Sequence, residues 1–300
     1  MSLFKGILID SSIIICIIVT FIVTGLWRKT ELGKRMYRQT RKSPLSDNLL
    51  RGPGQTLVDH IEDDKLDFGF KFGISMAMPV VFILFYFSLP SSQQNSNTIS
   101  LMLSVFLLLF TWLLLSMRKQ FRQMQKRRLG YEGEVAVAQE LNQLMRRGYY
   151  IFHDLTVDDK FNIDHVIIGP AGVFSVETKA RSKQNRKGPE AAKVYVNGSF
   201  LQFPTYRDTS SLDQAISQAK WLSDFLSKSV GKNVAAQPML TLPGWMVERQ
   251  RIENGVVVIN PKEADKLLAS KPDVLDNQTI QQIKYQLDQR CRNIKPSIPI

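Results

Sequence analysis

The chain has 300 residues, which is enough for one large or two small domains. Lys and Arg total 39 and Asp and Glu total 27, so the formal net charge of +12 favours anionic partners, either nucleic acid or a lipid surface. The two cysteines lie apart, Cys16 in an apolar run and Cys291 in a polar tail, so we expect neither a disulfide nor a cysteine-based metal site.

Three uncharged apolar runs lie near the amino terminus, at residues 11–27, 72–89 and 99–117. Runs of roughly 17–25 apolar residues are long enough to span a bilayer, and the alternative is a buried core helix. The first run could also be a signal peptide, but "WRKT" follows it instead of a small-residue cleavage site, which favours a stop-transfer flank. We therefore predict three transmembrane helices, one within residues 1–28 and a helical hairpin over residues 72–117.

Basic residues are concentrated on one side of these spans. Residues 28–42 and 118–128 are rich in Lys and Arg, whereas the loop at residues 91–97 contains neither. Positive charge is retained on the cytoplasmic side of a membrane. We therefore expect an integral protein of the cell inner membrane, with its amino terminus outside and with residues 29–71 and everything after residue 117 in the cytoplasm.

Two juxtamembrane segments have their own predicted structure. Within the cytoplasmic loop, "LVDHIEDDKLDF" is predicted to be a short helix at the membrane surface. Residues 118–128 are predicted to be a basic linker that continues the third apolar helix. The linker could contact anionic lipid, or it could contact nucleic acid.

From Leu129 onward the composition is that of a soluble α/β domain, which we place at residues 129–268, with a C-terminal helix and tail over residues 269–300. The predicted order indicates one mixed sheet flanked by helices. The predicted elements are a helix over 131–147 ended by Gly148, a strand over 149–157, a hairpin over 162–180, a strand at "KVYV", a helix over 211–230 ended by Gly231, the strands "QPMLTLPGW" and "GVVVIN", and two terminal helices.

The hairpin "NIDHVIIGPAGVFSVETKA", Asn162 to Ala180, carries charge inside two apolar runs. If Gly-Pro-Ala-Gly is the turn, Asp164 lies opposite Glu177, and Lys179 lies one step along the same face. Carboxylates directly across a ladder have Cβ atoms about 4.5–5.5 Å apart and repel each other unless a positive charge lies between them. Either Lys179 or a hard divalent cation, Mg²⁺ or Mn²⁺, would supply that charge. A solvent-exposed hairpin face with an ordinary ion pair is the alternative.

The same alternation assigns the other face of the hairpin. Ile163, His165 and Ile167 lie there together, so we expect His165 to be a core histidine and not a ligand. Asn162 is expected to lie opposite Lys179. His153, on the preceding strand, is given no role.

A third carboxylate is predicted to approach the hairpin from the helix over residues 131–147. The apolar stripe that includes Val137, Ala138 and Leu141 places Glu134 one turn earlier on the face that packs against the sheet. Burying a lone carboxylate is costly unless a proton or a metal ion accompanies it. Alternatively, Glu134 complements the dipole at the start of the helix.

Five segments, "GYEGE", "NIDHVIIGPAGVFSVETKA", "SLDQAISQAKWLSDFL", "PMLTLPGW" and "GVVVINPKEADKLL", resemble the nuclease-related domain (NERD) family over about residues 129–268. That family is assigned to the restriction-endonuclease-like, or PD-(D/E)xK, nuclease group. The resemblance implies a restriction-endonuclease-like α/β fold and Mg²⁺-dependent cleavage of phosphodiester bonds, usually in DNA.

The resemblance also implies roles for individual residues. The acidic helix position falls on Glu134, the metal-binding aspartate on Asp164, the ExK motif on Glu177 and Lys179, and the family glutamine on Gln214. Here "SSLDQ" stands where the family often has Asn-Pro before the glutamine, and a polar surface residue near a helix start is the alternative for Gln214.

We therefore expect a membrane-anchored nuclease in which Asp164, Glu177 and Glu134 hold Mg²⁺ or Mn²⁺. Lys179 would position the nucleophile, and Gln214 would orient the water or a phosphate oxygen. A further basic group would hold the nucleic-acid backbone without base specificity, or else form a solvated loop: Arg181, Lys183, Arg186 and Lys187.

Two other functions are compatible with the same sequence. One is a non-catalytic, membrane-tethered module that binds nucleic acid or serves as a scaffold. The other is a component of a transport or envelope system, which the absence of charge within the apolar runs disfavours.

Overall fold

The computed structural model describes residues 44–157, 161–185, 188–251 and 255–296. The predicted first transmembrane helix lies outside the described residues, as do Arg186 and Lys187. The chain divides into two compact units. Among the described residues, the first contains mainly Glu62–Met124, and the second contains Asp47–Ile61 and Gln125–Lys295.

The first unit is built from the greater part of two long helices, α1 (Gln55–Ser88) and α2 (Ser96–Leu141), which contact each other through Phe82 and Phe106. Both helices are long and apolar enough to cross a membrane. Only 6% of each apolar window is buried, whereas the core helix of a soluble domain would be mostly buried. The two helices therefore support a membrane association.

Both helices are longer than predicted. The expected surface helix "LVDHIEDDKLDF" is part of α1, and the third apolar run, the basic linker and the start of the soluble domain together form the 46 residues of α2. Single glycines such as Gly69 and Gly130 interrupt these stretches, but each costs a helix only about 1 kcal/mol, so the helices continue through them.

The second unit contains a five-stranded mixed sheet in the order β1-β2-β3-β7-β9. Strands β1, β2 and β3 are antiparallel neighbours, and β7 and β9 extend the sheet by parallel pairing. The β2–β3 hairpin has the predicted turn and the predicted register from Gly169 to His165. The strands are β1 (Tyr150–Val157), β2 (Phe161–Gly169), β3 (Gly172–Thr178), β7 (Ala236–Thr241) and β9 (Val257–Ile259).

A second sheet of four strands, in the order β6-β5-β4-β8, was not predicted. Its strands are β4 (Lys193–Asn197), β5 (Phe200–Gln202), β6 (Arg207–Asp208) and β8 (Met246–Arg251). The predicted strand "KVYV" is β4. The strands β5 and β6 have only three and two residues and β8 is mostly polar, so no apolar alternation marked these three. The predicted α/β class with a mixed sheet and flanking helices is confirmed, with this sheet added.

Helices cover both faces of the five-stranded sheet. The end of α2 packs on one face, where Val137 and Leu141 contact the cluster that contains Ile167, Phe174 and Val176. The other face is covered by two helices, α3 (Ser210–Val230) and α5 (Asn277–Cys291), while the short helix α4 (Ala264–Ala269) lies on the α2 side. The sheet is therefore the middle layer of a three-layer α/β unit.

Glycines end two of these helices, as predicted. A 3₁₀ turn, Asn142–Arg147, follows α2 and ends at Gly148, whose φ is 81°. Helix α3 ends at Gly231 with φ 72°. Both residues adopt the left-handed conformation that glycine tolerates at a helix C-terminus.

Candidate active site

The hairpin strands part just before the predicted carboxylate pair. The β2–β3 ladder ends at His165 and Val176, one residue short of Asp164 and Glu177. Beyond that point, Oδ2 of Asp164 accepts a hydrogen bond of 2.7 Å from the backbone N–H of Thr178. A side chain thus joins the two strands where a ladder pair was expected, and both carboxylates are buried.

Lys179 links the end of β3 to helix α3. Its backbone N–H donates to the carbonyl of Thr241, 2.9 Å away, which fixes the main chain beside β7. Its Nζ donates to Oε1 of Glu177 at 2.5 Å and to Oε1 of Gln214 at 2.8 Å. The side chain remains 18% exposed, so the ammonium group can be reached from solvent. The structure therefore brings Glu177, Lys179 and Gln214 together.

Gln218, which the sequence analysis missed, holds the other oxygen of Glu177. Its Nε2 donates to Oε2 of Glu177 at 2.5 Å and to the backbone carbonyl of Asn162 at 3.0 Å. Gln218 is only 2% exposed, and its Oε1 has no hydrogen-bond partner among the described residues. A signal was present, because positions i and i+4 share a helix face and Gln218 follows Gln214 by four residues.

Helix α2 approaches the end of β3 closely because of Gly133. A Cβ at this position would lie 2.5 Å from the Cβ of Ala180, a distance that real Cβ atoms do not adopt. The absence of a side chain at Gly133 therefore allows the neighbouring Glu134 to come near the strand end.

Glu134 is buried, as predicted, with 5% of the residue exposed and no hydrogen-bond partner for its Oε2 among the described residues. Burial is the main cause that raises the pKa of Glu134 from 4.5 to about 8, and the charges of Asp154 and Glu177 contribute to the same rise. A backbone N–H of Gly54 and the ammonium of Lys179 act in the opposite direction. A carboxylate in these surroundings holds a proton at neutral pH.

Asp164 belongs to the same electrostatic cluster. Burial raises the pKa of Asp164 well above its usual value, and the charges of Glu177 and Glu134 add to the effect. The N–H of Thr178 and the ammonium of Lys179 oppose it. Three buried carboxyl groups therefore share one lysine.

The chemistry of this cluster fits a divalent cation. Mg²⁺ and Mn²⁺ prefer carboxylate oxygens. A cation would offset the repulsion among Glu134, Asp164 and Glu177, and the unpartnered Oε2 of Glu134 could bind it. Within the described ranges, however, no three His, Cys, Asp or Glu side chains are grouped closely enough to hold a metal ion. Both oxygens of Glu177 are bonded, to Lys179 and to Gln218, so a cation bound by Glu177 would displace at least one of these contacts.

Contrary to the prediction, Asn162 does not lie opposite Lys179. It pairs with Thr156 of β1, and its Nδ2 donates to Oδ1 of Asp154 at 2.7 Å. Asp154 has a φ of 49°, the one positive φ among the described residues other than glycine. Aspartate tolerates this conformation better than most residues.

The alternation of both strands is interrupted near Asp154. Phe152 and Leu155, three positions apart, lie in one core cluster, and so do Ile163 and Val166. Ile163 is therefore not on the face of Ile167, contrary to the prediction from strict alternation.

The buried His165 and the partly buried His153 contact each other. Nδ1 of His153 lies 2.9 Å from Nδ1 of His165, so one ring donates a hydrogen bond to the other. Burial lowers the pKa of His165 well below its usual value and that of His153 to about 4, so both rings are neutral at pH 7. This agrees with the expected core position of His165.

Of the predicted phosphate-binding residues, Arg181 has a structural contact within the second unit. Its Nη2 donates to Oδ2 of Asp208 at 2.9 Å, and Asp208 also accepts from the backbone N–H and hydroxyl of Ser211 at the start of α3. Burial alone would raise the pKa of Asp208, but the hydrogen bonds from Arg181 and Ser211 outweigh it and lower the pKa to about 2.

Lys183 is exposed and lies over the ring of Trp245, with its Nζ 5.4 Å from the ring centre. The indole Nε1 of Trp245 donates to the carbonyl of Arg181. Lys183 thus lies at the surface beside an aromatic ring.

Residues 129–243 match the model of a family described as the nuclease-related domain. A Bacillus anthracis protein described as uncharacterized is 34% identical over 83 residues, which are 26% of this chain and 39% of that protein. No solved structure matches the chain. The matched range begins just before Glu134 and ends after β7, so it contains every residue of the cluster built from Glu134, Asp164, Glu177, Lys179 and Gln214. Residues 129–243 of this chain therefore form a nuclease-related (NERD) domain.

Proposed function

We propose that the chain is a membrane-anchored, metal-dependent nuclease that hydrolyses phosphodiester bonds of DNA at the cytoplasmic face. The observation that carries the proposal is the buried cluster at the end of the β2–β3 hairpin, where Asp164, Glu177 and Glu134 share Lys179 inside a nuclease-related domain. Such a cluster is costly to bury in a domain with no chemical use for it.

In this proposal Asp164, Glu177 and Glu134 hold Mg²⁺ or Mn²⁺. When bound, the metal would polarise the phosphate and lower the pKa of a coordinated water. Asp164 is fixed by the N–H of Thr178, and Glu177 is fixed by the amide of Gln218. These contacts hold the carboxylates in place before substrate arrives.

Lys179 acts on the substrate side of the cluster. Its ammonium is the cluster's accessible charge, and Gln214 holds it near the start of helix α3. From that position Lys179 orients the attacking water and offsets the negative charge that develops on the phosphate. Lys183, Arg186 and Lys187 would contact the phosphate backbone, which carries no sequence information, while Arg181 stays bonded to Asp208.

The fold of the second unit supports a topology in which the chain before and after the apolar runs lies on the same side of the membrane. Residues Asp47–Ile61 precede the apolar runs 72–89 and 99–117 and Gln125–Lys295 follow them, yet both stretches belong to one compact unit. A chain that leaves and rejoins the same folded unit must cross the bilayer an even number of times in between. Two crossings, by α1 and α2, satisfy this requirement and agree with the basic cytoplasmic segments.

This topology predicts which positions an impermeant thiol reagent can label in intact cells. In a chain whose Cys16 and Cys291 are replaced by Ala, Ser92→Cys in the exposed loop between α1 and α2 should be labelled from outside. Ser270→Cys, exposed on the second unit, should be labelled only after the cells are opened. Labelling of Ser270→Cys in intact cells would exclude the proposed orientation.

A non-catalytic nucleic-acid-binding module is the second candidate. Its support is that both oxygens of Glu177 are already bonded and that the described residues contain no ready-made metal-binding group. The two candidates are separated by incubating the detergent-solubilised full chain with supercoiled, linear and single-stranded DNA and with RNA, in Mg²⁺, Mn²⁺ or chelator. A nuclease degrades a substrate only with metal, whereas a binding module retards it without degrading it.

A further inference from the structure

A short segment far upstream in the sequence is bonded to a carboxylate beside the candidate site. We call residues 48–56 the strap. Asp154 is fully buried, and its Oδ2 accepts hydrogen bonds from Nε and Nη2 of Arg51, at 2.9 and 2.6 Å, and from the backbone N–H of Thr56, at 2.7 Å. The hydroxyl of Thr56 donates to the same oxygen at 2.8 Å. One buried oxygen thus gathers four donors from the strap.

Main-chain bonds attach the strap to the C-terminal helix of the same unit. The N–H of Arg51 donates to the carbonyl of Cys291 at 3.0 Å, and Leu49 and Ile294 form a two-way backbone bridge. The side chain of Arg51 is only 9% exposed. Removing either partner of a buried charge pair leaves the other charge uncompensated, which is strongly destabilising. Detachment of the strap would therefore either expose Asp154 to solvent or leave its charge buried without a counter-charge.

The strap reaches the candidate site at two points. Oδ1 of Asp154 accepts from Asn162, two residues before Asp164 on β2. At the second point, Gly54 has a φ of 67°, and a Cβ there would lie 2.7 Å from the ring of Tyr131 and 3.6 Å from Oε2 of Glu134. The backbone of the strap at Gly54 therefore lies close to the carboxyl group of Glu134.

We propose that the strap completes the candidate site, with Arg51 and Thr56 as positioning residues that act through Asp154 on Glu134 and Asp164. This inference rests on the proposed function. The strap lies outside the matched range 129–243 and precedes the apolar runs 72–89 and 99–117. The working domain is then assembled from two stretches of chain that the helical hairpin separates.

The test uses the full chain in detergent, with Arg51→Ala, Arg51→Lys and Thr56→Val as variants. Arg249→Ala is the matched control, because it removes an exposed ion pair with Glu263 in the same unit, together with one hydrogen bond to the carbonyl of Val258. The readouts are the dissociation constant for Mn²⁺ alone and amide hydrogen exchange in the metal-free protein. Thr56→Val preserves side-chain volume, so it keeps the test open if Arg51→Ala fails to fold.

We expect Arg51→Ala and Thr56→Val to weaken Mn²⁺ binding by about 10–100-fold, the usual cost of losing a group that orients metal ligands. Exchange should rise in the strap and also around Glu134 in α2, and Arg51→Lys should recover part of the loss. Arg249→Ala should change neither quantity. Faster exchange confined to the strap, with unchanged Mn²⁺ affinity, would overturn the inference.

The two proposals fail differently. A wild-type chain that binds no Mn²⁺ and cleaves nothing contradicts the proposed function. The exchange measurement still decides the inference in that case, because a strap that does not hold Glu134 leaves exchange around Glu134 unchanged in every variant.

Discussion

Replacing Lys179 with Ala should lower the rate of DNA cleavage at saturating Mg²⁺ by about 10²–10³-fold, the usual cost of removing one group that stabilises transition-state charge. Lys179 is the charge of the cluster that solvent can reach, and it bridges Glu177 and Gln214. Its loss removes the counter-charge to the phosphate while the buried part of the cluster, held by Gln218 and Thr178, stays in place. The measurement is the single-turnover cleavage rate with folding checked by circular dichroism.

Lys193 provides a matched control for this variant. It is the first residue of β4 in the four-stranded sheet and forms an ion pair with the exposed Glu190, 2.7 Å between Nζ and Oε1, and it takes no part in the cluster. Lys193→Ala should therefore cleave at the wild-type rate. If Lys179→Ala cleaves as fast as Lys193→Ala, the lysine has no role in the chemical step.

Replacing Glu134 with Gln should make the metal-free protein more stable than the wild type at pH 8. The folded-state pKa of about 8 exceeds the usual 4.5, so the folded chain keeps a proton that the unfolded chain releases between these values. The contribution is fully present below about pH 4.5 and is lost as pH rises through 8. Each pKa unit corresponds to about 1.4 kcal/mol, so the loss is on the order of 5 kcal/mol.

Glutamine mimics the protonated carboxyl group and does not titrate, so the variant should lose this part of the pH dependence. Asp164, whose pKa is also raised, leaves a slope of the same sign in both proteins. The measurement is the denaturant midpoint in chelator near pH 5 and near pH 8. Glu132→Gln, an exposed glutamate on the same helix, is the control. Equal slopes in wild type and Glu134→Gln would show that Glu134 does not titrate in this range.

The sequence was sufficient to predict the hairpin and most of the cluster, for identifiable reasons. Gly169 and Gly172 bound a tight turn, and that turn fixed the register of β2 and β3 as far as His165. The apolar stripe of α2 predicted that Glu134 is buried. Local chemistry with a fixed period is what sequence patterns report well.

The sequence did not predict the end of the hairpin ladder or the interruption of β1, because both involve side chains that make hydrogen bonds outside the regular backbone ladder. Asp164 bonds the N–H of Thr178 outside the ladder, and Asp154 interrupts β1 with a positive φ. Each change shifts which residues share a face, so strict alternation misplaced Ile163. The bond between Arg51 and Asp154 joins residues 103 positions apart, a separation at which no periodic pattern exists.

Cleavage by the full chain, with and without divalent metal, tests the nuclease centre most directly. Wild type and Asp164→Ala are incubated side by side with DNA in Mg²⁺, in Mn²⁺ and in chelator. We predict that the wild type degrades DNA only when metal is present and that Asp164→Ala leaves it intact under all three conditions. Intact DNA with the wild type in both metals, or equal degradation by Asp164→Ala, would contradict a metal-dependent nuclease centre at this cluster.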